Sequence, residues 1–169
     1  AVVLHEMLHI VGVGTLWRRR GILADSGLAT VRVTGPLAAT ACVSDHGGTT
    51  ACQGGAVPAE NCLDLDAALT CGVGTIDSHW KESVFQGELM TGYLNSGENP
   101  LSVLTVASLK DLGYVVDEAK ADFFFVQTNL MAGAGLQAMD QGIHLKDDIE
   151  KGPIVIVGAD GRPVGSTPS

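Results

Sequence analysis

With 169 residues, 46% of them hydrophobic and 17% charged, the chain carries enough apolar material for the core of one ordinary domain, which excludes disorder as its overall state. Nineteen acidic against ten basic residues leave a formal charge of −9, so the chain repels a phosphate backbone and nucleic acid is excluded as a main partner. No apolar run approaches the roughly 20 residues that cross a bilayer, so a soluble chain without a transmembrane segment is expected.

The chain opens at Ala1 inside an apolar segment, with no cap residue or turn before it. That reads as a fragment, with room in a preceding part for a signal peptide, a propeptide or several strands, so the absence of a targeting segment carries no weight. Residues 1–11 are helix-compatible and Gly12 is a stop signal, which predicts a buried helix and a tight exit, Gly12-Val13-Gly14, into Thr15-Leu16-Trp17. From Arg18 to about Thr75 the chain is rich in Gly, Ala, Thr and Ser, and loop with short strands is expected, plus a short helix near Ala59–Leu69.

A second helix is predicted after Pro100, capped by Ser102, running from Val103 to Leu112 and ended by Gly113. Leu104, Ala107 or Ser108, and Leu112 mark its core face. Phe123–Val126 and Ile154–Val157 read as short strands, the latter turning at Ala159-Asp160-Gly161. The tail Gly165–Ser169 is expected to be disordered.

His5-Glu6-Met7-Leu8-His9 carries the chemistry. Residues four apart on a helix differ by about 40° in direction and roughly 6 Å along the axis, so both imidazoles leave one side and can hold one zinc ion. Glu6, beside them, can reach a metal-activated water and serve as general base. A catalytic zinc takes three protein ligands and leaves one position for water. In most metzincins the third histidine follows the helix as H-E-x-x-H-x-x-G-x-x-H, but here Gly12 is in place and position 15 is Thr.

The remaining histidines are His46, His79 and His144. Closing the long loop to His79 costs about 2 kcal/mol more than closing a short one, small against the roughly 10–16 kcal/mol of structural zinc binding, so distance excludes none of them. His79-Trp80 differs from the others in its surroundings, because Glu88-Leu89-Met90-Thr91-Gly92 follows and places Met90 eleven positions after His79. A turn that sets a methionine beneath the metal has this form.

Taken together, His5–Gly12 with Gly14-Thr15-Leu16-Trp17, Ser78-His79-Trp80, Glu88–Gly92 and Ser102–Gly113 with Tyr114 resemble the leishmanolysin-like metallopeptidases, metzincins with a long insertion before the third histidine. The resemblance implies an α+β, zincin-like catalytic domain, here its C-terminal portion without the N-terminal part. It implies one Zn2+ held by His5, His9 and His79, Glu6 as catalytic base, Met90 in the Met-turn and Gly12 as the turn after the zinc helix. The implied activity is that of a zinc metalloendopeptidase acting on protein or peptide substrates. Cell adhesion is also associated with such proteins.

On this reading residues 1–126 form the catalytic domain: zinc helix 1–12, insertion 18–75, third ligand and Met-turn 76–95, and C-terminal helix 102–113. Residues 127–169 form an extension of unassigned role. A non-catalytic adhesion or binding module of the same fold is the rival reading, and Glu6 argues against it, since a structural zinc site needs no base. A zinc amidase shares the pentapeptide but does not predict the His79-to-Met90 spacing.

Other residues have plainer readings. Trp17 and Trp80 are packing residues, His46 is a solvated loop residue, and Glu82 and Glu88 are solvated carboxylates, with orientation of a ligand histidine as the alternative for each glutamate. Cys42, Cys52, Cys62 and Cys71 are spaced by ten, ten and nine positions and form no C-x2-C pair. Two disulfides are expected, in any of three connectivities, within an insertion that supplies little core of its own. That favours an extracellular, secreted or cell-surface setting over a reduced cytosolic one.

Overall fold

The computed structural model describes residues 1–44, 52, 54–63, 71–126, 142–145, 149, 155–158 and 160–166. It begins with α1 (Val2–Val11), whose buried residues are His5, Leu8 and His9. Those positions form one stripe, i, i+3 and i+4. Val3, Met7 and Ile10 are exposed, Ile10 at 82%, so the helix expected to be buried is buried along that stripe alone. Gly12 ends it as expected, at φ 116°: its amide bonds the His9 carbonyl and the Val13 amide bonds that of Leu8, both closing the last turn.

The following stretch contains a three-stranded antiparallel sheet, β1 (Leu23–Ala24), β2 (Arg32–Val33) and β3 (Val57–Pro58), with β2 central and Val33 opposite both Leu23 and Val57. It also contains α2 (Pro36–Ser44), where the sequence reading expected loop. Proline is at home in a first helical turn, and the alanines that follow are strong helix formers. The cap comes from far away. The Asp111 carboxylate accepts the Leu37 amide at 3.1 Å and the Ala38 amide at 2.9 Å, while α2 packs against the helix that carries Asp111. Conversely, the described part of the helix expected near Ala59–Leu69 is not helical: Ala59 forms a bridge with Trp80, and 60–63 are irregular. Residues 64–69 lie outside the described residues.

Next come α3 (Glu82–Phe85), β4 (Tyr93–Leu94) and α4 (Val103–Asp111). Ser102 caps α4 by accepting the Thr105 amide, Gly113 follows at φ 102°, and Leu104, Ala107, Ser108 and Leu112 are buried, all as expected. After a single 3-10 turn at Glu118–Lys120, the aromatic run is not a strand. Pairing stops at the Ser102–Asp122 bridge because α4 begins at Val103 and leaves no extended partner; Phe123 is 90% exposed.

β5 (Ile143–His144) pairs antiparallel with β4, and β6 (Val155–Val157) with β7 (Pro163–Ser166) around the expected turn at Asp160-Gly161. Gly165 and Ser166 are thus strand residues, correcting the disordered tail from 165; residues 167–169 lie outside the described residues. Helices and short antiparallel strands give an α+β fold. Trp17 and Trp80, both fully buried, pack against each other in the core with ring centroids 4.5 Å apart and ring planes tilted by 33°. Two disulfides tie the chain before His79: Cys42–Cys52 between β2 and β3, and Cys62–Cys71 after β3. Among the described residues no helix is long and apolar enough to cross a membrane.

Candidate metal centre

The two histidines of α1 project together, as their spacing requires, and His79 meets them. Their Nε2 atoms form a triangle with edges of 2.9 Å (His5–His9), 3.1 Å (His9–His79) and 3.2 Å (His5–His79). His5 and His79 are fully buried and His9 nearly so.

Each ring is held from behind by a backbone carbonyl. His5 Nδ1 lies 2.7 Å from the Leu89 oxygen, His9 Nδ1 2.9 Å from that of Val13, and His79 Nδ1 3.2 Å from that of Thr75. A carbonyl accepts only, so each Nδ1 carries a proton toward it, and each ring turns its Nε2 toward the other two. Three converging lone pairs repel one another unless a cation lies among them. Zinc–nitrogen bonds of about 2.0–2.1 Å in tetrahedral geometry imply nitrogen–nitrogen edges of about 3.3 Å, close to those observed. The donor set therefore fits a zinc ion, with three ligands supplied and a fourth position left over.

Backbone packing delivers His79 to α1. Gly14, at φ 77°, approaches so closely that a Cβ there would stand 2.0 Å from the Ser78 carbonyl oxygen. Thr15, at the position where most metzincins have a histidine, instead donates its hydroxyl to the His9 carbonyl at 2.7 Å. On the other side, the Glu60 amide donates to the His79 carbonyl at 2.9 Å, and the Trp80 amide donates to the Met90 carbonyl at 2.9 Å. The spacing that linked His79 with Met90 thus corresponds to two paired segments, and Met90 is fully buried.

Thr75 joins His79 to Leu145, the residue after β5. Its carbonyl receives His79 Nδ1–H, and its hydroxyl donates to the Leu145 carbonyl at 2.7 Å. Sequence reasoning had no handle on this contact, since it spans 70 residues and leaves no pattern.

Glu6 follows His5 on α1, is partly buried, and accepts no hydrogen bond among the described residues. His144 does not join the cluster; it is exposed on β5, its ring 4.8 Å from that of Tyr93. His46 lies outside the described residues. Glu60, Cys62 and Cys71 also approach one another, but the cysteines are bonded to each other and offer no thiolate.

The solvated roles expected for Glu88 and Glu82 are incorrect. Glu88 is fully buried and accepts from the Met90 amide at 2.5 Å, the Ser102 hydroxyl at 2.6 Å, the Thr105 hydroxyl at 2.6 Å and the Ser102 amide at 3.2 Å. Burial raises its pKa above the ordinary carboxylate value, and these hydrogen bonds oppose the rise. Glu82 is pushed up to about 8, chiefly by burial and further by the charges of Glu60 and Glu88, against a lowering hydrogen bond from Thr91. Burial follows from the fold around Met90, which a charged residue's identity does not reveal.

A family model described as Leishmanolysin matches residues 1–136. The chain belongs to the leishmanolysin family. Leishmanolysins are zinc-dependent metallopeptidases, and the buried His5-His9-His79 group is a set of donors that could hold such an ion. Comparison with curated proteins and with solved structures gives no significant match.

Proposed function

We propose that this leishmanolysin is a zinc metalloendopeptidase whose metal is held by His5, His9 and His79 and whose general base is Glu6. The observation that carries the reading is the convergence of three Nε2 lone pairs within 3.2 Å of one another, each fixed by an Nδ1–H bond to a carbonyl. When bound, zinc supplies a Lewis acid that lowers the pKa of water toward about 7 and polarises a carbonyl.

The protein's own residues do the rest. Glu6, next to His5 and unengaged by the described residues, accepts a proton from the attacking water and returns it to the leaving amine. The carbonyls of Leu89, Val13 and Thr75 fix ring tautomer and direction. Gly12 turns the chain away from the helix so that Val13 can reach back to His9, and Met90 provides an apolar floor. The catalytic unit is residues 1–126, with 18–75 as the insertion before the third ligand, and 127–169 form an extension. Substrates are proteins or peptides. An extracellular, secreted or cell-surface setting is supported by the two disulfides, which persist under oxidising conditions.

Glu6→Ala tests the assignment. The variant should retain one zinc per chain while cleavage of an unstructured protein substrate falls by about 100-fold or more, the usual scale for a lost general base. Undiminished cleavage would remove Glu6 from the mechanism.

A further inference from the structure

We infer that Glu88 is a positioning residue for the metal centre, acting on His5 through the single peptide group between Leu89 and Met90. This rests on the proposal that His5 is a metal ligand. The carbonyl of that peptide accepts His5 Nδ1–H at 2.7 Å, and its N–H donates to Glu88 Oε2 at 2.5 Å. Carboxylate, peptide and imidazole therefore form one chain of hydrogen bonds that ends at the Nε2 facing His9 and His79.

The hydrogen bonds at Glu88 favour its ionised form against the burial that raises its pKa. Thr105 Oγ1 already accepts Trp80 Nε1–H at 2.8 Å, so its own proton points at Glu88 Oε1. Ser102 Oγ receives the Thr105 amide and likewise directs its proton to that oxygen. With two amides added, four donors face the carboxyl group, and the arrangement suits its ionised form.

An anion accepting the peptide N–H polarises the peptide, and the carbonyl becomes a stronger acceptor. It then draws more strongly on His5 Nδ1–H and makes Nε2 a better donor to a metal. Carboxylates bonded directly to a ligand histidine act in this way; here a peptide stands between them. Among the described residues Glu88 has no cationic partner, so the positive charge of a bound ion would also be the compensating charge for a fully buried carboxylate.

The test titrates the full chain, stripped of metal, with zinc against a competing chelator, in the wild type, Glu88→Gln and Ser102→Ala. Glu88→Gln should bind zinc about 10–100-fold more weakly, the range seen when an outer partner of a ligand histidine is removed, and its cobalt(II) form should show shifted visible bands. Ser102→Ala removes one donor to Oε1 but keeps the contact from Oε2 to Met90. It should lose thermal stability while its zinc affinity and cobalt spectrum stay within about threefold and unshifted, respectively.

Equal zinc affinity and identical spectra in wild type and Glu88→Gln would overturn the inference while leaving the three-histidine site standing. An equal loss in Ser102→Ala would reduce Glu88 to a packing clamp and overturn it too. A wild type that takes up no zinc would overturn the metal-centre proposal and this inference with it. If Glu88→Gln does not fold, the wild type alone decides: zinc loading should move the Met90 amide proton downfield, and an unmoved resonance contradicts the inference.

Discussion

Gly14 and Ser78 meet backbone to backbone, with no room for a side chain at position 14: a Cβ would lie 2.0 Å from the Ser78 oxygen. Because Ser78 precedes His79, that contact sets how far the third imidazole stands from α1. Gly14→Ala should therefore do more than strain a residue at φ 77°, which by itself costs about 1–2 kcal/mol. It should push His79 off the other two rings and weaken zinc binding by at least about tenfold, read by chelator competition. Normal affinity in a destabilised variant would show that the approach serves packing alone.

Asp111 links two helices that are far apart in sequence, taking the Leu37 and Ala38 amides at the start of α2. Asp111→Ala leaves both donors without a cap and should cost about 1–2 kcal/mol in urea unfolding, while zinc affinity is unchanged. A loss below about 0.3 kcal/mol would mean that α2 holds its first turn without Asp111.

These two contacts mark the limit of what the sequence displayed. The H-E-x-x-H helix, its Gly12 stop and the Ser102-capped α4 were legible because their signals are local: periodicity, a cap hydroxyl and a glycine at positive φ. His79 was legible through its spacing from Met90. α2 was missed because its cap comes from Asp111, and only Pro36 followed by alanines could have flagged it. Phe123–Val126 has strand composition, yet a strand needs a partner, and the chain opposite has already turned into α4. Glu88 was read as solvated because a glutamate's burial depends on hydroxyls brought in by Ser102 and Thr105. The contact of Thr75 with Leu145 had no sequence signal at all.

Glu82 gives the fold a dependence on pH. Its carboxyl rises from 4.5 to about 8 on folding, so the folded chain holds the proton more tightly than the unfolded one. The resulting stability is fully present below the unfolded value and is lost as pH climbs through about 8. In metal-free protein, thermal stability should fall between pH 5 and pH 8 more steeply in the wild type than in Glu82→Gln. Parallel curves would contradict a raised Glu82.

The disulfides Cys42–Cys52 and Cys62–Cys71 close loops of about ten residues, and each should stabilise the fold by roughly 2–3 kcal/mol. Alkylation of native protein should find no free thiol, and reduction should lower the melting temperature. Four alkylated cysteines in native protein with unchanged melting would contradict both the pairing and the oxidising setting.

Metal content tests the central claim most directly. Wild-type protein should carry one zinc per chain, and His79→Ala, with α1 and its two histidines intact, should lose it, its affinity falling by about 100-fold or more as a three-ligand site becomes a two-ligand one. Unchanged zinc content in His79→Ala would contradict the account, because the ion would then be held without the imidazole that the fold brings across 70 residues to meet His9.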